Sequence, residues 1–199
     1  GRTGKIFSDI RQRYPDAGFW AFAGDVIERP MDMYWHYWFV TMDSISQYIP
    51  VVAATGNHEY LKGAVKKLDS RWVYTFRNPQ NGPAPYVGST YYFRYGNLLY
   101  VVIDTDGLQL PWDYIRVRHW LRDVLAASDA RWKIVMMHHP VYSVRSGRDN
   151  PFMRWTFKPL FERYGVDLVL EGHDHGYSRI ITKDRGQKLR TPVYLVSNC

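Results

Sequence analysis

One feature limits the possible folds of this 199-residue chain more than any other. Several short apolar runs each lead into an aspartate, an asparagine or a histidine. Four such runs read as buried strands: GFWAFAG, PVVAAT, WKIVMM and VDLVL. Segments with helical patterns lie between them, at residues 31–48, 112–127 and 152–164. This alternation indicates an α/β layered fold, in which ligands bind beyond the carboxyl ends of the strands. We therefore expect the polar residues at these ends to form a site.

Other segments predict antiparallel additions, and hence mixed sheets. Residues 90–94 and 98–104 read as a hairpin joined by Tyr95-Gly96-Asn97, and 178–182 and 191–196 read as two further strands. The stretch 74–88 is rich in proline, glycine and side-chain amides, which predicts a loop. Residues 5–14 predict a helix that Pro15 ends.

Composition indicates one ordinary globular domain spanning residues 1–199. Hydrophobic residues make up 46% of the chain and charged residues 23%. The net charge of +7 is scattered, so it does not favour nucleic-acid binding; it forms either a solvated basic surface or a field that attracts an anionic phosphate. The single cysteine, Cys199, excludes a disulfide framework within the chain and a cysteine-based metal site. No run of 18 apolar residues predicts a membrane span.

Four short blocks at the strand ends carry the chemistry. They are Gly24-Asp25, Gly56-Asn57-His58-Glu59, His138-His139-Pro140 and Gly172-His173-Asp174-His175. Imidazole, carboxylate and amide donors gathered in this way suit a hydrolytic centre with two metal ions. Glu59 and Asp174 are candidates to orient the ligands from behind. Taken singly, each block also fits a structural role: a turn, a helix cap, a satisfied buried histidine or a solvent-facing charge.

The order GD…GNHE…HHP…GHDH resembles the calcineurin-like metallophosphoesterase superfamily. The stretches MMHHPVYSVRSGR and VDLVLEGHDHGYSR resemble its purple acid phosphatase branch more narrowly, and the resemblance covers roughly Phe19 to Val196. It implies an α/β fold, a four-layer α/β/β/α sandwich of mixed sheets. It also implies a dinuclear centre of Fe, Zn or Mn and a metal-dependent phosphoric ester hydrolase, with phosphomonoesters as the first expected substrates.

The resemblance also implies roles for single residues. Asp25 would bridge both metals, and His175 would bind the first. The remaining ligands of the second metal would be Asn57, His138 and His173. A hydroxide held by the metals would attack phosphorus, and His58 would protonate the leaving oxygen.

Further residues are expected near the site without binding metal. His139 resembles a neighbour of the centre, because the family pattern uses the histidine two places before proline. Tyr177 and Arg179 match a Tyr-x-Arg pattern with a structural or supporting role. Arg145 and Arg148 lie in a loop that follows His138 closely. They either contact phosphate or belong to a solvated surface.

Two departures from the family pattern matter. Ile27 stands where purple acid phosphatases carry the tyrosine that binds ferric iron, and Glu28 takes a place that usually does not bind metal. No Asp-x-His precedes Gly24, since Asp9 lies in a predicted helix. We therefore expect a domain truncated at both ends, lacking its first strand and its C-terminal end. Such a chain would hold one metal well and a second weakly, with low turnover.

The sequence leaves several alternatives to a phosphomonoesterase open. A phosphodiesterase or nucleotide hydrolase of the same fold is one, and a non-catalytic scaffold that binds a partner is another. A nuclease would need a basic stripe beside the site, which the sequence does not show. The partner we expect is a small phosphoester, with no nucleic acid and no membrane segment. The resemblance slightly favours an exported location, periplasmic or extracellular.

Overall fold

The computed structural model describes residues 2–182 and 192–198. Its helices are α1 (Arg2–Arg13), α2 (Asp32–Ser46), α3 (Arg71–Thr75), α4 (Pro111–Ala126) and α5 (Pro151–Arg163). The first strands are β1 (Trp20–Phe22), β2 (Val51–Ala53), β3 (Tyr60–Leu61), β4 (Lys67–Leu68) and β5 (Tyr91–Tyr95). The later strands are β6 (Leu98–Ile103), β7 (Trp132–Met137), β8 (Leu168–Glu171), β9 (Gly176–Ile181) and β10 (Val193–Asn198).

Two separate sheets form the middle of the molecule. A six-stranded sheet has the order β5-β6-β7-β8-β10-β9, in which β6, β7, β8 and β10 run parallel and the two edge strands run antiparallel. A smaller sheet pairs β1 with β2 in parallel, with Ala21 opposite Val52. The predicted mixture of parallel and antiparallel strands is confirmed.

Alternation along the strands sorts the side chains into three apolar clusters between four layers. In β6, Leu99 and Val101 face α4 and α5, while Tyr100 and Val102 face the smaller sheet. The cluster between the two sheets includes Val52, Ala54, Tyr91, Tyr100, Val102 and Met136. The cluster beyond the smaller sheet joins β1 and β2 to α1 and α2 and includes Phe7, Trp20, Trp35, Trp38 and Ala53. This is the predicted α/β/β/α sandwich.

Local sequence explains why the outer helices begin where they do. Pro111 and Pro151 occupy the first positions of α4 and α5, where a missing backbone N–H costs nothing. Asp113 caps α4 by accepting the backbone N–H of Leu110 at 3.0 Å. Every fourth residue of α4 from position 113 is buried, which fits a helix lying on a sheet.

Some predicted boundaries differ from the structure. The predicted loop at 74–88 begins inside α3, which ends at Thr75, and the two-residue strands β3 and β4 were not expected. These elements are too short to show a periodic pattern, so contacts with the rest of the fold determine their conformation. The predicted strand at 178–182 begins two residues earlier, at Gly176, and residue 191 lies outside the described residues.

Among the described residues, we find no helix with the length and apolar character that crossing a bilayer requires.

Candidate metal centre

The strand ends of both sheets meet at one edge of the sandwich. Asp25 follows β1, and Asn57 follows β2 in the smaller sheet. His138 follows β7 directly, and His173 comes two residues after β8 in the larger sheet. Since β1 and β2 are parallel, and β7 and β8 are parallel, each pair delivers its polar residues at the same end.

Four side chains converge there, and we call Asp25, Asn57, His138 and His173 the four-donor cluster. His138 Nε2 lies 3.2 Å from Asp25 Oδ2 and 3.3 Å from Asn57 Oδ1. His173 Nδ1 lies 2.9 Å from Asn57 Oδ1 and 3.2 Å from His138 Nε2. Two imidazole nitrogens, an amide oxygen and a carboxylate oxygen are ligands that divalent transition metals accept, so these residues fit a metal ion.

The inner histidine of the cluster is oriented from behind. His138 is fully buried, and its Nδ1 donates to the Ala23 carbonyl at 2.7 Å. That bond leaves Nε2 facing the other three donors, as in metal-binding histidines whose second nitrogen is held by a carbonyl. Burial alone would lower the pKa of His138, but the hydrogen bond and negative charge of Asp25 outweigh it and raise that pKa. A proton and a metal ion therefore compete for the same nitrogen.

Two glycines allow the loops to approach this closely. A Cβ at Gly24, whose φ is +91°, would lie 2.4 Å from His138 Nδ1. A Cβ at Gly56 would lie 2.2 Å from Asp25 Oδ1. Any larger residue at either position would push the donors apart. The backbones of Asp25 and His173 are themselves left-handed, with φ of 53° and 66°.

A buried carboxylate ties the first two strand-end loops together. Glu59 is fully buried and accepts the backbone N–H groups of Gly56 at 2.6 Å, Asp25 at 3.0 Å and Ile27 at 3.1 Å. In the opposite direction, Asp25 Oδ1 accepts the backbone N–H of His58 at 3.0 Å. Burial, together with the charge of Asp25, raises the pKa of Glu59 to about 7. Glu59 therefore braces the loop that presents Asp25.

The cluster opens into a cleft of about 460 Å³. Its lining residues are Asp25, Asn57, His58, Val144, Arg145, Arg148, His173, Asp174 and His175. His58 and His175 thus both face the same space. His175 is exposed and lies outside the tight group formed by Asp25, His138 and His173, whose ligand atoms are within 4.8 Å of one another.

Asp174 holds one wall of the cleft. Its carboxylate is almost fully buried and accepts Ser143 Oγ at 2.5 Å and the backbone N–H groups of Val144 at 2.8 Å and Arg145 at 3.3 Å. It also forms an ion pair with Arg148 at 2.8 Å. Although burial alone would raise it, these bonds lower the pKa of Asp174. The wall is therefore fixed to the turn that carries His173 and His175.

His139 lies beside the cluster, as expected for a residue that does not bind metal. Its ring centroid is 4.4 Å from that of His173, and its Nδ1 is 3.0 Å from Thr105 Oγ1 and 3.6 Å from Asp106 Oδ2. Burial and the nearby histidines lower the pKa of His139 to about 2, so the ring is neutral.

Sequence reasoning missed the partners of His139. Thr105 and Asp106 are buried and follow β6, whose parallel neighbour β7 leads into His138. A polar pair at the end of a predicted strand was a signal of the same kind as the four blocks, but it contains no histidine.

Three other positions lie away from the cleft lining. Tyr177 and Arg179 sit on the exposed face of β9, and the structure does not bring them to the cluster. Ile27 is buried in the apolar cluster beneath α2. Ile27 is not the position of the tyrosine in a Gly-Asp-x-x-Tyr pattern: counted from Gly24, that position is Glu28, which is exposed.

Comparison with known proteins agrees with this arrangement. Residues 2–177 match the model of the calcineurin-like phosphoesterase family. Purple acid phosphatase 15 of Arabidopsis thaliana is 28% identical over 151 residues, which cover 73% of this chain and 28% of that protein. The chain thus spans less than a third of that relative's length.

Two solved structures share the fold. Purple acid phosphatase PPD1 from yellow lupin (Lupinus luteus) superposes with a TM-score of 0.74 at 21% identity, over 98% of this chain and 38% of that one. A dimetal phosphatase from Danio rerio gives a TM-score of 0.70 at 14% identity, over 98% of this chain and 77% of that one. On the strength of the family match and the strand-end motifs, this chain belongs to the calcineurin-like phosphoesterase family, and it resembles the purple acid phosphatases within it.

Proposed function

We propose that this chain carries the centre of a metal-dependent phosphoric ester hydrolase with two metal ions. One observation carries the proposal: the four-donor cluster lies at the floor of a cleft, and three of its members line the open space together with two histidines and two arginines. Hydrolysis of a phosphoester requires groups that bind metal ions and groups that bind the phosphate oxygens, and this cleft combines both.

The donors divide unequally between two ions. Asn57, His138, His173 and Asp25 would hold one ion tightly, because four protein ligands complete a common coordination number. Asp25 and His175 would hold the second ion less tightly. When bound, such ions lower the pKa of a coordinated water and neutralise charge on the phosphoryl group. Fe, Zn and Mn all fit this mixture of nitrogen and oxygen ligands.

The remaining residues would act on the substrate. His58 lines the cleft beside Asp25, whose carboxylate accepts its backbone N–H, and this position supports a role for its imidazole in protonating the departing oxygen. Arg145 and Arg148 line the opposite wall, and guanidinium groups match the geometry of phosphate oxygens. His58 is the acid of the proposal.

A small phosphomonoester is the proposed substrate. Its two negative charges suit a cleft that combines metal ions with arginines, whereas a diester carries one. Phosphodiester or nucleotide hydrolysis at the same centre is the alternative. A non-catalytic scaffold is less well supported, because the chain keeps all four donors of the cluster. Nucleic acid is not part of the proposal.

Metal analysis combined with turnover tests this proposal. The purified chain is loaded with Mn, Zn or Fe and analysed for metal, and hydrolysis of p-nitrophenyl phosphate and of its bis-ester is measured with each metal. We expect one tightly bound ion, a weaker second one and a preference for the monoester. Faster hydrolysis of the bis-ester would favour the diesterase alternative. Absence of metal binding under all conditions would favour the scaffold.

Export from the cell remains part of the proposal, on the family resemblance. Fractionation of the producing cells, with the whole protein followed by antibody, would test it. Recovery in the cytosolic fraction would contradict it.

A further inference from the structure

The two arginines of the cleft wall are not equivalent. The guanidinium of Arg148 donates to Asp174 Oδ1 at 2.8 Å, and the Asp174 carboxylate is almost fully buried. An ion pair with this buried carboxylate neutralises Arg148 and holds its partly exposed side chain in place. Arg148 therefore supports the wall and contributes little net charge to the cleft.

Arg145 contributes its charge to the cleft. Its backbone N–H binds Asp174 and Ser143 Oγ, so its main chain is fixed. Its side chain is exposed, and within residues 2–182 and 192–198 its guanidinium has no hydrogen bond or ion pair. The wall thus presents one uncompensated cation on a backbone that is held still.

From this difference, we infer that Arg145 forms a subsite for a second phosphate group on the substrate, beside the phosphate that is cleaved. The inference rests on the proposed function and extends its substrate class to compounds with two neighbouring phosphates, such as nucleoside diphosphates. In these, water would cleave the anhydride bond to the terminal phosphate and release inorganic phosphate and the nucleoside monophosphate. The floor donors and their ions would take the scissile phosphate. A cleft of about 460 Å³ has the size of ordinary small-molecule sites.

The order of the contacts supports this class of substrate. Asp174 lies between His173 and His175 in sequence, so the wall is tied to the turn that carries a floor donor. A phosphate on the floor therefore has Arg145 as a fixed neighbour. An anion bound to Arg145 requires no ion pair to break first, whereas one bound to Arg148 must compete with Asp174.

The test compares AMP with ADP, which differ by one phosphate. Binding is measured by calorimetry on manganese-loaded protein in a His58→Ala background, which we expect to slow turnover. We expect ADP to bind about tenfold or more tightly than AMP, since a charge-assisted bond to one arginine is worth that much. Arg145→Ala should weaken ADP binding about tenfold more than AMP binding, which removes this preference.

Two further variants separate a specific contact from a general effect of charge. Arg163→Ala removes an exposed arginine at the far end of α5 and should leave the preference intact. Asp174→Asn should weaken the preference, because the wall loses its anchor. Equal binding of AMP and ADP by the parent protein, or the same loss in Arg145→Ala for both ligands, would overturn the inference.

The outcomes also separate this inference from the proposed function. If the protein binds ADP preferentially through Arg145 but hydrolyses no phosphoester, the hydrolase proposal fails and the subsite stands. If p-nitrophenyl phosphate is hydrolysed normally and Arg145→Ala changes neither nucleotide, the subsite fails and the hydrolase proposal stands.

Discussion

The floor and the wall of the cleft are built in different ways. The floor donors follow strands of two packed sheets, and buried bonds to Glu59 and to the Ala23 carbonyl hold them. The wall is a loop held mainly by the carboxylate of Asp174, with Glu171 accepting the backbone N–H of Val141 at its start. Substitutions in the floor should therefore disturb the fold, whereas substitutions in the wall should leave the floor intact. Metal binding and substrate choice are accordingly separable in this molecule.

The largest effect should come from the floor itself. Asp25→Asn removes the carboxylate that lies beside His138 and that we propose as the bridge between two ions. We expect metal affinity to fall by more than about a hundredfold, since the loss of a supporting residue already costs about 10- to 100-fold. Elemental analysis after dialysis measures this, with Asp43→Asn on the exposed side of α2 as the control. Unchanged metal content would remove Asp25 from the centre.

A smaller effect, on turnover, should follow from replacing His58, which lies between the floor and the wall. His58→Ala should lower kcat by about 10²- to 10⁴-fold while metal content is retained, because the change removes only the proposed proton donor. The loss should grow as the leaving group becomes more basic, which a series of substituted phenyl phosphates would show. His119→Ala, on the exposed face of α4, is the control. The same loss for every leaving group would contradict an acid role.

The brace beneath the floor should matter less than the donors. Glu59→Gln replaces one of the two oxygens that accept backbone N–H groups by an amide that donates. We expect metal affinity to fall by about 10-fold, with the substrate KM at saturating metal little changed. Glu28→Gln, at an exposed position of the loop that carries Asp25, is the control. A change in KM alone would assign Glu59 to the wall.

The smallest effect concerns stability. Burial raises the pKa of Glu171 to about 8, from 4.5. Between these two values the folded chain binds the proton that the unfolded chain releases, so the free energy of unfolding should fall as pH rises from about 5 to 8. Glu171→Gln removes the buried charge and should flatten this decline. Urea unfolding of both proteins at pH 5 and pH 8 measures it, and parallel declines would exclude Glu171 as the cause.

The floor was readable from the sequence because each donor stands next to a strand. Apolar runs predict the strands, parallel pairing brings their ends together, and the order of the blocks matches a known family. The six-stranded sheet, the helices that cover it and the convergence of Asp25, Asn57, His138 and His173 followed from these patterns.

The wall could not be read in the same way. Among the described residues, Asp174 binds the guanidinium of Arg148 but only the backbone N–H of Arg145. This difference depends on contacts across about 26–30 residues of chain, which no periodic pattern records. The approach of Thr105 to His139, 34 residues away, is equally hidden. For the same reason, only the structure shows that Ile27 lies in the core, while Glu28, one residue later, is exposed.

The left-handed backbones of Asp25 and His173 lower the stability of the fold at residues that the proposed activity requires. Each non-glycine residue in that conformation costs about 1 kcal/mol that a glycine would not. A chain selected only for thermal resistance would therefore tend to lose these two side chains first, and it would become inert as it became more robust. The cost in stability therefore falls on two residues that the proposed metal centre requires.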